Sequence, residues 1–477
     1  MKLLLLTTLI TSTRPYRSLP PVTFCEPEGN PKSKIQNQMT PTLKNRDILT
    51  QLLALNPPLT IPQLQSLRTQ ATGYLQEETI PSNKDEEWRF TDLSPLLTQT
   101  FPAPNSQIPP VNIHGLIFSE AANTRLTFVN GIYAPEYSSL NLPTGVFVGN
   151  LAAAMEEGLA IADYLGKQPG GEEVFTAINT AGINEAAVIW LGKDISIESP
   201  IHLLFIATVD DTAISIQPRT LIVLETGSNV TLVEEYLHTS VPAQQAVSVS
   251  NRSYFTNSVT EIWIGDTAKL NHTRIQDEDI TAIHIGKTAV SQSQHSCYTG
   301  NSIDLGSKLS RHNWEIFQIG AQTETHLNGL AMVNGEQESD THSVIALTKP
   351  HGITNQLHKC IVDERAHGIF NGKVFVPQAA QQTNAGQLNR NLLLSSTARI
   401  DTKPQLEITA DNVKCSHGAT VSQLEDDEIF YLQSRGLDVE TAKILLINAF
   451  AVEIIDRIPV TSIREKLAVA VKAFKAN

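Results

Sequence analysis

Cysteine is scarce in this chain: Cys25, Cys297, Cys360 and Cys415 are the only 4 in 477 residues. So few in so long a chain do not make a disulfide framework, and the lack of any C-x-x-C pair speaks against a zinc ribbon or a thioredoxin-type redox motif. Free thiols in a reducing compartment fit that usage. Aromatics are also few, at 6%. A basic surplus is missing, because the net charge is -14, and that argues against a nucleic-acid binder or a protein docking on an anionic membrane. No apolar run reaches the about 18 residues of a membrane span. H-E-x-x-H, a Gly-rich dinucleotide fingerprint and a G-x-S-x-G elbow are all absent. Gly286-Lys287-Thr288 resembles the end of a phosphate-binding loop, but Thr281 stands where that loop needs its first glycine.

What remains is an ordinary globular composition, 41% hydrophobic and 18% charged, long enough for two or three domains. Residues 1–38 begin with MKLLLLTTLITS and continue polar and Pro-rich. They read as a presequence, secretory or plastid, or as an over-extended start ahead of Met39, and are expected to be disordered. Residues 39–112 read as a helical domain closed by a Pro-rich linker. Within it, Lys84–Thr91 (KDEEWRFT) reads as an anchor in which Trp88 and Phe90 pack while the acids face water. From 113 to 412 helical periodicity largely vanishes, apart from a helical insertion near 147–180, and short Val-, Ile- and Thr-rich runs follow one another. Turn words such as Asn334-Gly-Glu and Asn371-Gly-Lys recur irregularly, a soft repeat. These strands could build a sandwich, a barrel or a parallel β-helix. Small and β-branched residues, few large aromatics, and polar residues such as Asn130, Asn271 and Asn328 set in or beside strands favour the β-helix, where stacked side-chain ladders satisfy them. Residues 413–477 turn helical, with Asp438 as a cap, Pro459 as a stop and Ser462-x-x-Glu465 as a capping box. The stretch VETAKILLINAFAVEIIDRI is apolar on more than one face, so it must bury more than one side.

Residues 395–420 read SSTARIDTKPQLEITADNVKCSHGAT. Cys415 and His417 flank a single residue, so on a strand both side chains share one face. A thiolate beside an imidazole can grip a transition metal or an iron–sulfur species; the plainer reading is a buried Cys beside a surface His. Ten of the 13 histidines fall between His272 and His417, including His295 near Cys297 and His358 near Cys360. Without a compact ligand spacing they read as surface and turn residues, and Cys297 and Cys360 as small core residues. Cys360 is the better candidate of that pair to join Cys415.

The words TARIDTKPQLEI and ADNVKCSHGAT resemble the signature of the SufB/SufD family of iron–sulfur cluster assembly proteins, its SufD branch most closely. The likeness extends from about residue 40 to the C-terminus. It implies a mainly β fold, a right-handed parallel β-helix flanked by helical ends, and a scaffold subunit rather than an enzyme. It implies a transient iron–sulfur cluster shared with a partner, with His417 donating nitrogen and Cys415 supplying or supporting sulfur at the boundary. SufB is the implied β-helix partner, and the SufC ATPase the partner of the C-terminal helices. The implied setting is the bacterial or cyanobacterial cytoplasm, or alternatively the plastid stroma. Two other readings are a SufB-like subunit, which this short cysteine list disfavours, and a β-helix polysaccharide lyase or hydrolase using acids such as Asp363 and Glu364. Incubation with SufB and SufC followed by pull-down, set against sugar release from pectin-like polymers, separates these classes: capture without sugar release is expected.

Overall fold

The computed structural model describes residues 41–102, 107–209, 213–240 and 253–474; the expectations for residues 1–38 and for Cys25 lie outside them. From Thr124 onward the β-branched runs form strands that, past Ile201, alternate between two sheets. The first sheet runs through Thr124–Val129, Ile201–Val209, Asn229–Ser240, Lys269–Asp277, Cys297–Asp304, Glu324–Val333, Ile353–Val362, Asn384–Leu393 and Lys414–Gln423. The second runs through Ala187–Leu191, Arg219–Leu224, Phe255–Ile264, Ile283–Gln292, Leu309–Gln318, Glu338–Leu347, His367–Val376 and Arg399–Ile408. Neighbours on these paths pair in parallel, residue for residue. A chain that visits two parallel sheets in turn is a β-helix, as composition and resemblance both indicated.

The repeat that the turn words blurred is regular in space. The five successive returns from the second sheet to the first between Ile264 and Asn384 each carry one non-glycine residue with positive φ: Thr267 (61°), His295 (58°), Gln322 (58°), His351 (63°) and Gln382 (61°). Non-glycine residues pay about 1–2 kcal/mol in this region, and here the amide of each hydrogen-bonds to the next coil's corner, as from His295 N to Ala321 O (3.0 Å) and Gln322 N to Pro350 O (3.1 Å).

Inside the coils, stacking follows register. Phe128, Phe205 and Tyr236 occupy one column, with ring centroids 5.3 and 5.0 Å apart. Beside them lies a polar filling. Glu234 accepts from Tyr236 (2.8 Å), Thr260 (2.8 Å) and His272 Nε2 (2.9 Å), and the other nitrogen of His272 meets Tyr298 Oη at 3.1 Å. Burial alone pushes the Glu234 carboxyl upward, yet His272 and the hydroxyls hold it below its usual value. Arg274 pairs with Asp304 at 2.8 Å and reaches His284, whose second nitrogen lies 2.6 Å from Glu278. Asn271, Asn301 and Asn328 form the expected amide ladder on the outer face, ended by Arg457 (2.8 Å). Gly286-Lys287-Thr288 lies in mid-strand, with Lys287 bound to Glu315 and Gly170, so it is no phosphate loop.

Helices cover both outer faces. Helices α1 (Pro41–Ala54), α2 (Gln65–Leu75), α3 (Ser94–Leu97), α4 (Leu151–Glu156) and α5 (Val174–Gly182) lie on the N-terminal side of the chain. Of these, α1, α2, α3 and α5 share a core with Phe255, Ile283 and Leu309 of the second sheet. Three more close the chain: α6 (Asp426–Ser434), α7 (Val439–Ile455) and α8 (Thr461–Ala473). Ile447, Ala451 and Ile454 of α7 and Ile463 and Leu467 of α8 pack on Ile275, Ile303 and Leu330 of the first sheet. Asp438 caps α7 through Thr441 N (2.8 Å). The expected capping box does not form: Val460 precedes the helix, and Ser462, inside it, bonds Glu120 instead. No helix among the described residues is long and apolar enough to cross a membrane.

Glycine on the inward face is what admits the rings. A Cβ at Gly286 would stand 2.6 Å from His312 Nδ1, 2.7 Å from Ser258 Oγ and 2.9 Å from His284 Nε2. Gly286→Ala is therefore expected to destabilise by about 1–3 kcal/mol through overpacking, read as a lower urea midpoint.

Candidate functional site at the open end of the coil stack

The two ends of the stack differ. At the first end the backbone is turned back by short antiparallel strands, Ile132–Tyr133, Ser139–Leu140 and Val146–Asn150. At the other end both sheets stop on a full-length strand, Arg399–Ile408 and Lys414–Gln423, each paired on one side only. Every residue of these strands is half-buried or exposed, whereas inner strands such as Ile283–Gln292 are buried throughout. Two adjoining ten-residue strands thus present unpaired N–H and C=O groups, a template for another chain's backbone.

Cys415 and His417 lie on the second of these strands. In register Cys415 opposes Ala385 and His417 opposes Gln387, which opposes Gln356 and then Leu327. Ala385 and Leu327 belong to the interior core, and Cys415 packs against it. Both donors therefore point inward across the mouth of the last coil, the thiol half-buried and the imidazole exposed. Burial pushes the Cys415 thiol up, opposed by a backbone hydrogen bond at Ala385. One step inside, Gln387 donates to Gln356 (2.9 Å), and Thr402 on the facing edge strand donates to Asn389 (2.8 Å), whose amide reaches His358. The polar floor of the mouth went unnoticed in sequence, although the alternation Gln387, Asn389, Asn391 marks it at period 2.

Cys360 does not join them. It sits on Ile353–Val362, two strands inward in the same sheet, fully buried with His358 Nδ1 3.6 Å from its sulfur. Burial drives that thiol up and lowers His358 to about 4. Cys297 is half-buried, and His295 lies at an exposed corner. The other mid-chain histidines are mostly not surface groups, since His202, His272, His284 and His312 are buried as partners of the polar filling or of outer-face acids. Among the described residues, no group of three or more His, Cys, Asp and Glu side chains could hold a metal ion. Cys415 and His417 supply two donors, and a transition metal takes four or more ligands.

The geometry defines a parallel β-helix protein whose last coil offers a thiol and an imidazole beside an unpaired backbone edge. Comparison with known proteins specifies it. Residues 57–203 match the SufBD protein N-terminal region, and residues 205–450 match the SUF system FeS cluster assembly, SufBD core domain. An iron–sulfur cluster assembly SufBD family protein of Synechocystis is 48% identical over 85% of this chain and 89% of its own length. The Arabidopsis protein ABCI7, chloroplastic, is 35% identical over 89% and 88%, and the Escherichia coli iron–sulfur cluster assembly protein SufD 29% over 81% and 88%. The chain belongs to the SufBD family of iron–sulfur cluster assembly proteins.

Cys360 and Cys415 should separate by position. Brief alkylation of the native protein, followed by peptide mapping, is expected to label Cys415 increasingly as pH rises from 7 to 9, and to label Cys360 only in denaturant.

Proposed function

We propose that the chain is a SufD-like scaffold subunit, on which an iron–sulfur cluster is assembled with a second β-helix subunit and passed on. The observation that carries this is the placement of Cys415 and His417, turned inward on a strand with no neighbour on its outer side. A SufB-like chain stacked on Arg399–Ile408 and Lys414–Gln423 would satisfy the edge and supply the ligands that two donors lack. The cluster is cargo held between chains, not a resident cofactor, and the subunit carries out no turnover of its own.

The nucleotide chemistry is assigned to a SufC-like ATPase docked on the C-terminal helices. Helix α6 buries none of its residues, and Phe430 is 70%, Tyr431 57% and, on α7, Leu445 48% exposed. Large apolar groups gathered on adjoining helices mark an interaction site. The α7 stretch thus reads as two-sided, with Ile447, Ala451 and Ile454 toward the coils and Leu445 outward. Free Cys297, Cys360 and Cys415 suit a reducing compartment, bacterial cytoplasm or plastid stroma.

In a reconstituted three-protein complex, His417→Ala is expected to abolish cluster formation while the subunits still co-purify. Disassembly instead would make the residue an interface packing group. Because a metal-bound thiol must lose its proton, and the Cys415 thiol is held high by burial, cluster yield should rise between pH 6 and pH 8; equal yields would refute thiolate ligation. Phe430→Asp should lose the ATPase from pull-downs and retain the β-helix partner.

A further inference from the structure

Outside the mouth, the edge strand Arg399–Ile408 is tied to the coils beneath it by side chains as well as by its ladder. His367 stands in the strand before it. Its Nε2 lies 2.7 Å from Asp401 on the edge, and its Nδ1 lies 3.3 Å from Glu338 one strand further in. Both ring nitrogens face carboxylate oxygens, so both must carry a proton for both contacts to be hydrogen bonds. Neutral, the ring would turn a lone pair on one carboxylate and lose that hold.

The segment Lys84–Asp92 extends the same clasp. Glu338 also accepts from the Asp92 amide (2.9 Å), and Glu86 binds Lys403 of the edge strand (2.8 Å). Glu87 lies 3.3 Å from His342, and Trp88 packs under the Arg311 guanidinium, 3.8 Å from the ring centre. Glu86 and Glu87 stay exposed, as the sequence suggested, yet each also reaches a basic side chain on the coils.

We propose that His367 is the positioning residue of the pairing edge: as an imidazolium strung between Glu338 and Asp401, it holds strand Arg399–Ile408 in register for a partner strand, and the edge loosens when the proton leaves. The charges facing the ring are Glu338, Asp401 and Arg399, the last 2.6 Å from the same Asp401 oxygen. One column over, Asp340, Arg311, His342 and Glu87 form a separate group. Burial lowers the His367 affinity for its proton, but the two carboxylates outweigh burial and Arg399 and raise it above the ordinary value. The sign follows: the hold is complete below the unfolded histidine's range and is lost as pH rises through the elevated folded value.

This inference rests on the reading that the edge pairs with another chain, and the test keeps the two apart. Hydrogen exchange of the free full-length protein is followed from pH 6 to pH 9, corrected for intrinsic rates, with amides 283–292 as an internal reference. Protection over 400–408 is expected to fall several-fold across this range, with the reference unchanged. In His367→Gln, protection of the edge should be low at every pH. A flat profile in the natural protein, or the same profile in the variant, would overturn the clasp. Affinity for the SufB-like subunit, measured over the same range, should track edge protection. If the edge loosens and affinity ignores it, the clasp stands and the pairing reading fails.

Discussion

A parallel ladder satisfies a strand's backbone only if there is another strand on each side, and every coil of this stack passes that requirement on to the next. The requirement has to end somewhere. At the first end it is met by antiparallel returns of two to five residues, which leave little edge. At the last coil it is left standing over two full strands, the second of which carries Cys415 and His417. Under the proposed pairing with a second chain, the side chains that point inward at this edge, Cys415 and His417, would lie at the shared boundary.

Two pairs of residues show how much that position decides. His358 and Cys360 flank one residue on a first-sheet strand and face the interior; so do Cys415 and His417, two strands later. Inside the stack, burial makes the thiol hard to ionise and keeps the imidazole neutral, with Phe370 stacked on it at 4.8 Å. At the rim the same residue types on the same face are half-buried and exposed. Of the two, only the rim pair is open to solvent.

The interior is unusual in carrying ionisable groups such as Glu234, Arg274, Asp304 and Glu278 at almost no exposure. Isolated buried charge costs several kcal/mol, so these groups persist because each is matched by an imidazole, a guanidinium or several hydroxyls in neighbouring coils. Glycines at Gly286 and Gly300 leave the space those rings occupy. A filling built this way resists being slid by one register, because a shift would unpair every charge at once.

Periodicity sufficed for the strand-rich middle, the existence of the terminal helices and the shared face of Cys415 and His417, because each depends on spacing within a few residues; the helical start expected at 413 is instead a strand, Lys414–Gln423, because it pairs with Asn384–Leu393. The regular coil repeat escaped notice because Thr267, His295, Gln322, His351 and Gln382 hold the left-handed corners where glycine would have announced them, and contacts between coils stabilise that conformation. The clasp joining Glu86 to Lys403 spans residues far apart in the chain, and no local pattern links them.

By itself, then, the order of residues determined which segments become strands, which become helices, and that a sulfur and a nitrogen lie side by side on one face, since these follow from side-chain alternation and local backbone preference. Only the tertiary structure decided that this face belongs to the last coil and not to an inner one, that Cys360 is sealed away, and that His367 spans two carboxylates. Those outcomes depend on which strand stacks on which, and therefore on long-range hydrogen bonding and burial that no short stretch of sequence encodes.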